Sequence, residues 1–132
     1  MIDVNELRLG NYILQKQNNK ISAVACSFIH FEWMQKGYKD LYPIVLKPEL
    51  VEKHGFIENK KYPLLPDAHE YILAVPVQGS NKNEIVVYVK NNKECFGRAV
   101  VNNFPASNNF YHLHQLQNLY FALTGREMEI KL

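Results

Sequence analysis

The sequence predicts an α+β fold, and three observations carry that prediction. Leucines recur at helical spacing between His112 and Thr124, three strand-like runs bounded by turn residues precede that stretch, and a hairpin signal opens the chain. All of it fits one domain, because 132 residues lie near the usual size of a single folding unit.

Taken in order, Gly10-Asn11 punctuates the start and Tyr12-Ile13-Leu14 is a short strand signal within Leu9–Gln17. Asn18-Asn19-Lys20 supplies a turn, since Asn tolerates the positive φ that tight hairpins require. Ile21–Met34, rich in β-branched and aromatic residues, reads as one long strand, bent or split by a bulge because both of its faces are apolar. A hairpin from Tyr12 to Phe31 is the expected first unit. Gly37–Tyr42 links it to Pro43-Ile44-Val45-Leu46. A two-turn helix follows from Pro48 to His54, with Pro48 at the first helical position and Gly55 as the left-handed stop.

Glu58–Glu70, holding Pro63 and Pro66, reads as an exposed loop. Tyr71–Val77, Glu84–Lys90 and Glu94–Val101 form a three-stranded antiparallel meander, turned at 79–83 and at Asn91-Asn92-Lys93. Pro76 cannot donate to a ladder, which favours an edge position for the first of these strands. Asn102–Asn109 is a polar connector whose last asparagines, Asn108 or Asn109, serve as cap for the closing helix. That helix ends at Gly125, and the alternating tail (Met128, Ile130 and Leu132 against Glu127, Glu129 and Lys131) reads as a short terminal strand.

On the closing helix, Leu113, Leu116, Leu119, Tyr120 and Leu123 share an arc of about 120° that must face the sheet. His114, Gln117, Asn118 and Phe121 are neighbours on the opposite side, at spacings of three and four. A large aromatic group in a polar patch leaves two readings open. Either the N-terminal hairpin covers that side, or the patch meets a protein partner or a second copy.

Composition excludes several classes. A formal charge of +2 is far from the balance of a dedicated nucleic-acid binder, and the charges are interspersed. Lys16, Lys20, Lys36 and Lys39 nonetheless flank a hairpin rich in aromatics, with Trp33 among them, which keeps a weak nucleic-acid contact in play. No stretch approaches the ~20 apolar residues of a membrane span, and Met1–Glu6 lacks the basic and apolar regions of a signal peptide. With only Cys26 and Cys95, read as buried thiols and not as a disulfide framework, a cytoplasmic protein is expected. No catalytic, metal or cofactor motif stands out. His112 and His114 are two apart on a helix and point in different directions, His30, His54 and His69 are scattered, and no glycine-rich phosphate loop exists. Neither cysteine sits in a sequence that would activate it, and Asp67 and Glu70 read as solvated loop carboxylates.

Two segments together carry a resemblance. Asn5-Glu6-Leu7-Arg8-Leu9-Gly10-Asn11-Tyr12-Ile13 and the stretch from His114 through Gln117, Asn118 and Phe121 to Thr124-Gly125 resemble a family of small uncharacterised proteins of gut bacteria and their phages and mobile elements; Pro43-Ile44-Val45-Leu46 and the helix after it resemble its middle segment. The resemblance implies a compact, non-enzymatic, phage- or mobile-element-related accessory protein and brings no catalytic residues or cofactor. The expectation is an interaction module working through the patch around Phe121, with nucleic-acid binding by the hairpin as the alternative.

Overall fold

A computed structural model describes residues 2–60, 68–76 and 82–132. The chain is α+β, with two antiparallel sheets, three α-helices and one turn of 3-10 helix (Val4–Glu6) among the described residues. β1 (Tyr12–Gln17) and β2 (Lys20–Ala25) form the N-terminal hairpin, and β3 (Leu41–Tyr42) joins on the far side of β1 to give the order β2-β1-β3. The turn is the tight one the asparagines predict: Asn18 and Asn19 both take positive φ, 52° and 62°, and Gln17 pairs directly with Lys20.

The expected long strand Ile21–Met34 is not formed. β2 ends at Ala25 and α1 (Phe28–Gln35) begins three residues later. Ser27 starts the helix, with its N–H donating to Nδ1 of His30 at 2.9 Å, a reciprocal cap that outweighs the β propensity of Phe28, Ile29 and Phe31. Gly37, at φ +84°, stops it. Aromatic content had masked the cap and stop residues.

α2 (Pro48–Lys53) forms as expected, with Pro48 in its first turn and Gly55 left-handed after it. The segment expected as a loop holds β4 (Ile57–Asn59) and the start of β5 (Ala68–Val75), which pair with each other. Residues 61–67 of that expected loop, Asp67 included, and 77–81, where the first meander turn was expected to begin, lie outside the described residues. β6 (Asn83–Lys90) and β7 (Cys95–Val101) complete the meander. Because β4 flanks it, β5 is no edge strand; Pro76 lies just beyond its end. The Asn-Asn-Lys turn recurs at 91–93 with different geometry, a three-residue loop in which Lys93 takes the left-handed conformation at φ +68°. The expected connector after β7 makes one more hairpin: Asn102 and Asn103, both at positive φ, turn the chain into β8 (Phe104–Pro105).

α3 (Leu113–Thr124) starts three or four residues later than Asn109 or Asn108 would have it, with His112 as cap. The residues before it are used as sheet: Phe110 exchanges both backbone hydrogen bonds with Gly97, at 2.9 and 2.8 Å, and His112 bridges to Val45. Gly97 is required there, since a Cβ would stand 2.4 Å from the Phe110 ring. The tail after Gly125 forms no strand. Met128 is buried in the main core, so its alternation reflects packing along an irregular segment.

Two apolar clusters result. The larger joins Leu113 and Leu116 of α3, with Leu119, Tyr120 and Leu123 at its margin, to Ile85 and Val87 of β6 and Val51 of α2. The smaller gathers Ile2, Leu7, Ile13, Cys26 and Leu41, with Phe31 and Met34 of α1 against it. β1 separates the two: Tyr12 and Leu14 face the first cluster and Ile13 faces the second, as strand alternation dictates. No helix among the described residues is long and apolar enough to cross a membrane.

Candidate interaction surfaces

The polar side of α3 faces the chain itself. Residues 6–12 run along it, and His114, Gln117 and Asn118 each answer a group in that segment. Gln117, 2% exposed, accepts the Tyr12 N–H on Oε1 at 2.9 Å and donates from Nε2 to the Gly10 carbonyl at 3.4 Å. Asn118 donates to the Glu6 carbonyl at 2.6 Å, and its Oδ1 accepts from Arg8 Nε at 2.7 Å and Asn11 Nδ2 at 2.9 Å. Asn11, itself buried, accepts the Arg8 N–H on Oδ1 at 2.7 Å. Backbone groups that leave the sheet before β1 begins thus find partners on a helix. Such satisfaction is what allows the segment to be buried.

Arg8 closes the seam. Its guanidinium lies 4.4 Å from the Phe121 ring centroid and donates to both carboxylate oxygens of Glu127, at 2.6 and 3.3 Å. This accounts for an aromatic residue in a polar patch: Phe121, 39% exposed, is the platform on which Arg8 rests. His114, 1% exposed, donates from Nε2 to Glu6 at 3.2 Å, while its Nδ1 is buried without a partner. A bare lone pair costs less there than an unpaired N–H, which disfavours the charged ring. Burial pulls its pKa below the ordinary 6.5, against the opposing pull of Glu6. His114 and Gln117, expected among the partner contacts, are therefore covered by the N-terminal segment; only Phe121 and part of Asn118 reach the surface.

The hairpin residues are placed less coherently. Trp33 is half-buried, packed edge-on to His30 at 5.4 Å and tilted over Tyr38 at 5.2 Å. Lys36 is paired with Glu32 at 2.9 Å on α1. Lys16, Lys20 and Lys39 are exposed, and the Lys16 backbone is bonded to the residues on either side of Lys39: the Tyr38 hydroxyl donates to the Lys16 carbonyl, and the Lys16 N–H to that of Asp40, both at 2.9 Å.

The exposed apolar groups lie elsewhere. β2 is exposed along nearly its whole length, Ile21 is 63% exposed, and Phe28 and Ile29 at the start of α1 are 78% and half exposed. Sequence reasoning missed this because it placed these residues inside a central strand. The missed signal was Ser27, which ends β2 early and leaves it at the sheet margin.

Elsewhere chemistry is sparse. Both cysteines are buried with pKa raised by burial, Cys95 to about 11, so neither is poised as a nucleophile. Glu70, expected as a solvated loop carboxylate, is buried on β5 and takes a hydrogen bond from Asn59. Among the described residues no three His, Cys, Asp or Glu stand together as a metal site. Compared with family models, curated proteins and solved structures, the chain matches none.

Proposed function

We propose that this protein is a non-enzymatic interaction module whose contact surface is β2 together with the exposed start of α1. The observation that carries the reading is the exposure of Ile21, Phe28 and Ile29 beside an uncovered strand edge. Large apolar side chains left exposed on a strand and on the helix that follows it are candidates for a contact surface. The helix patch first expected to do this work is occupied by the chain's own N-terminus, so the contact moves from α3 to the hairpin. An accessory role in a phage or mobile element, which the resemblance implies, is compatible with such a module.

A photo-crosslinking residue at position 28, introduced into the full chain in its native cells, tests the reading. A discrete adduct from position 28, with none from the same residue at exposed Glu94, is the expected result; absence of any adduct from position 28 would end it. The second reading, a weak nucleic-acid contact, is favoured by exposed Lys16, whose backbone bonds Tyr38 and Asp40 on either side of exposed Lys39. It predicts binding that falls steeply with salt.

A further inference from the structure

Resting on that reading, we infer that the β2 edge pairs with the β2 edge of a second copy of this chain, antiparallel and centred on Ala23. The sheets of this fold end in four strands: β2, β3, β4 and β8. β3 and β8 are two residues long and β4 three, and β8 ends on Pro105, so each offers little to pair with. β2 has six residues, no proline, and one charge, Lys20, at its end by the turn. It lacks the devices by which an edge is normally blocked.

Which backbone groups are free follows from β1. The Lys16 N–H donates to Asp40 and the Tyr12 N–H to Gln117, both away from β2. The pairs Lys16↔Ile21 and Tyr12↔Ala25 are therefore the non-bonded ones of the hairpin, and Leu14↔Ala23 lies between them in the same parity. Cys26 donates inward to Asn11, as the alternation requires. Ile21, Ala23 and Ala25 thus point their N–H and C=O groups outward, where no strand of the described residues follows.

Those three residues are spaced evenly about Ala23, so a second copy of β2 presents the same outward groups in the matching antiparallel register. A two-fold axis at Ala23 sets Ala23 against Ala23 and Ile21 against Ala25 in both directions. Every outward donor meets an outward acceptor, giving about six hydrogen bonds. Lys20 falls opposite Cys26, and the two Lys20 residues stand about 20 Å apart at ~3.4 Å per residue, beyond the screening length of about 8 Å. The strand needs no counter-charge, and methyl groups on the axis leave room for close approach.

The test places charge on the axis. In the full chain, Ala23→Lys and Ala23→Glu each put like charges directly opposite one another. Because Ala23 is exposed, the monomer fold should be unchanged by circular dichroism. Sedimentation from micromolar to millimolar concentration should show a wild-type dimer, dimerisation weakened about tenfold or more in each variant, and dimer restored when the two variants are mixed. Amide exchange at Ile21, Ala23 and Ala25 should slow with concentration, while that at Ser22 and Val24 does not change. A wild-type chain that stays monomeric at millimolar concentration overturns the inference. So does a dimer indifferent to Ala23→Lys, or a mixture that fails to pair. A position-28 adduct containing a different protein, from a chain that is itself monomeric, would overturn this pairing and leave the interaction reading standing.

Discussion

The seam between α3 and residues 6–12 and the outer edge of β2 invert the usual expectation about polarity. The seam is polar and buried, and nearly every group in it has a partner. The β2 edge is largely apolar in its side chains and exposed, and its outward backbone groups have none among the described residues. A helical wheel assigns the polar arc of α3 to solvent by default, yet here that arc anchors an extended segment whose backbone no strand receives. Polar side chains are selected at such a place because a peptide buried against leucines would lose its hydrogen bonds to water without replacement. The contrast is therefore one of function in the physical sense: one surface has been satisfied internally and the other has not.

The sharpest way to break this comparison is Gln117→Ala. It strands the Tyr12 N–H and the Gly10 carbonyl in a site from which water is excluded, at about 1–3 kcal/mol for each group left unpaired. We expect a loss of about 2–4 kcal/mol in denaturant unfolding, more than any other single substitution in the seam should cause. A loss within the range of ordinary surface substitutions would mean that the seam opens freely and that the helix face is available to partners. Arg8→Ala should cost less, about 1–2 kcal/mol, because its pairing with Glu127 is partly solvated and the stacking on Phe121 is only half-covered. Arg8→Lys should recover part of that in low salt.

The seam also has a pH signature. Burial lowers the His114 pKa in the folded chain, and His30 is lowered for the same reason. As pH falls through the ordinary histidine value of 6.5, the unfolded chain takes up protons that the folded chain resists. Stability is then complete above that pH and declines below it, toward the lower folded pKa. His114→Gln, which can still donate to Glu6, should flatten the decline in chemical-denaturation midpoints measured from pH 7.5 to 5. A midpoint that rises on acidification would show that the attraction of Glu6 outweighs burial, and that the imidazole is held charged.

How far these features were legible in the sequence depends on which residues carried the information. The leucine arc of α3, the helix opened by Pro48 and the meander were readable because periodicity and turn residues are local signals. Ser27 was overlooked for a physical reason: one capping side chain competes with a long run of aromatic and β-branched residues, and the run looks like the stronger signal. The second use of Asn-Asn as a tight turn, at Asn102 and Asn103, could have been read from the first. Other features were not local at all. Nothing in the spacing of Gln117 and Asn118 says that Tyr12 and Gly10 are partners of the first, and Glu6, Arg8 and Asn11 of the second, across a hundred residues of chain.

The smallest expected effect bears most directly on the exposed side of the comparison. Phe28→Asp changes a side chain that is mostly in water, in the first turn of α1, where an acidic group favours the positive end of the helix dipole. Folding stability should move by no more than about 0.5 kcal/mol. If stability falls by more, Phe28 is packed more closely than its exposure indicates and belongs with the smaller apolar cluster. If stability holds while self-association or crosslinking from the hairpin is lost, the phenylalanine has no folding role to explain it. The asymmetry between the two regions would then be complete: Gln117 a polar residue needed for folding, and Phe28 an apolar residue needed only for contact.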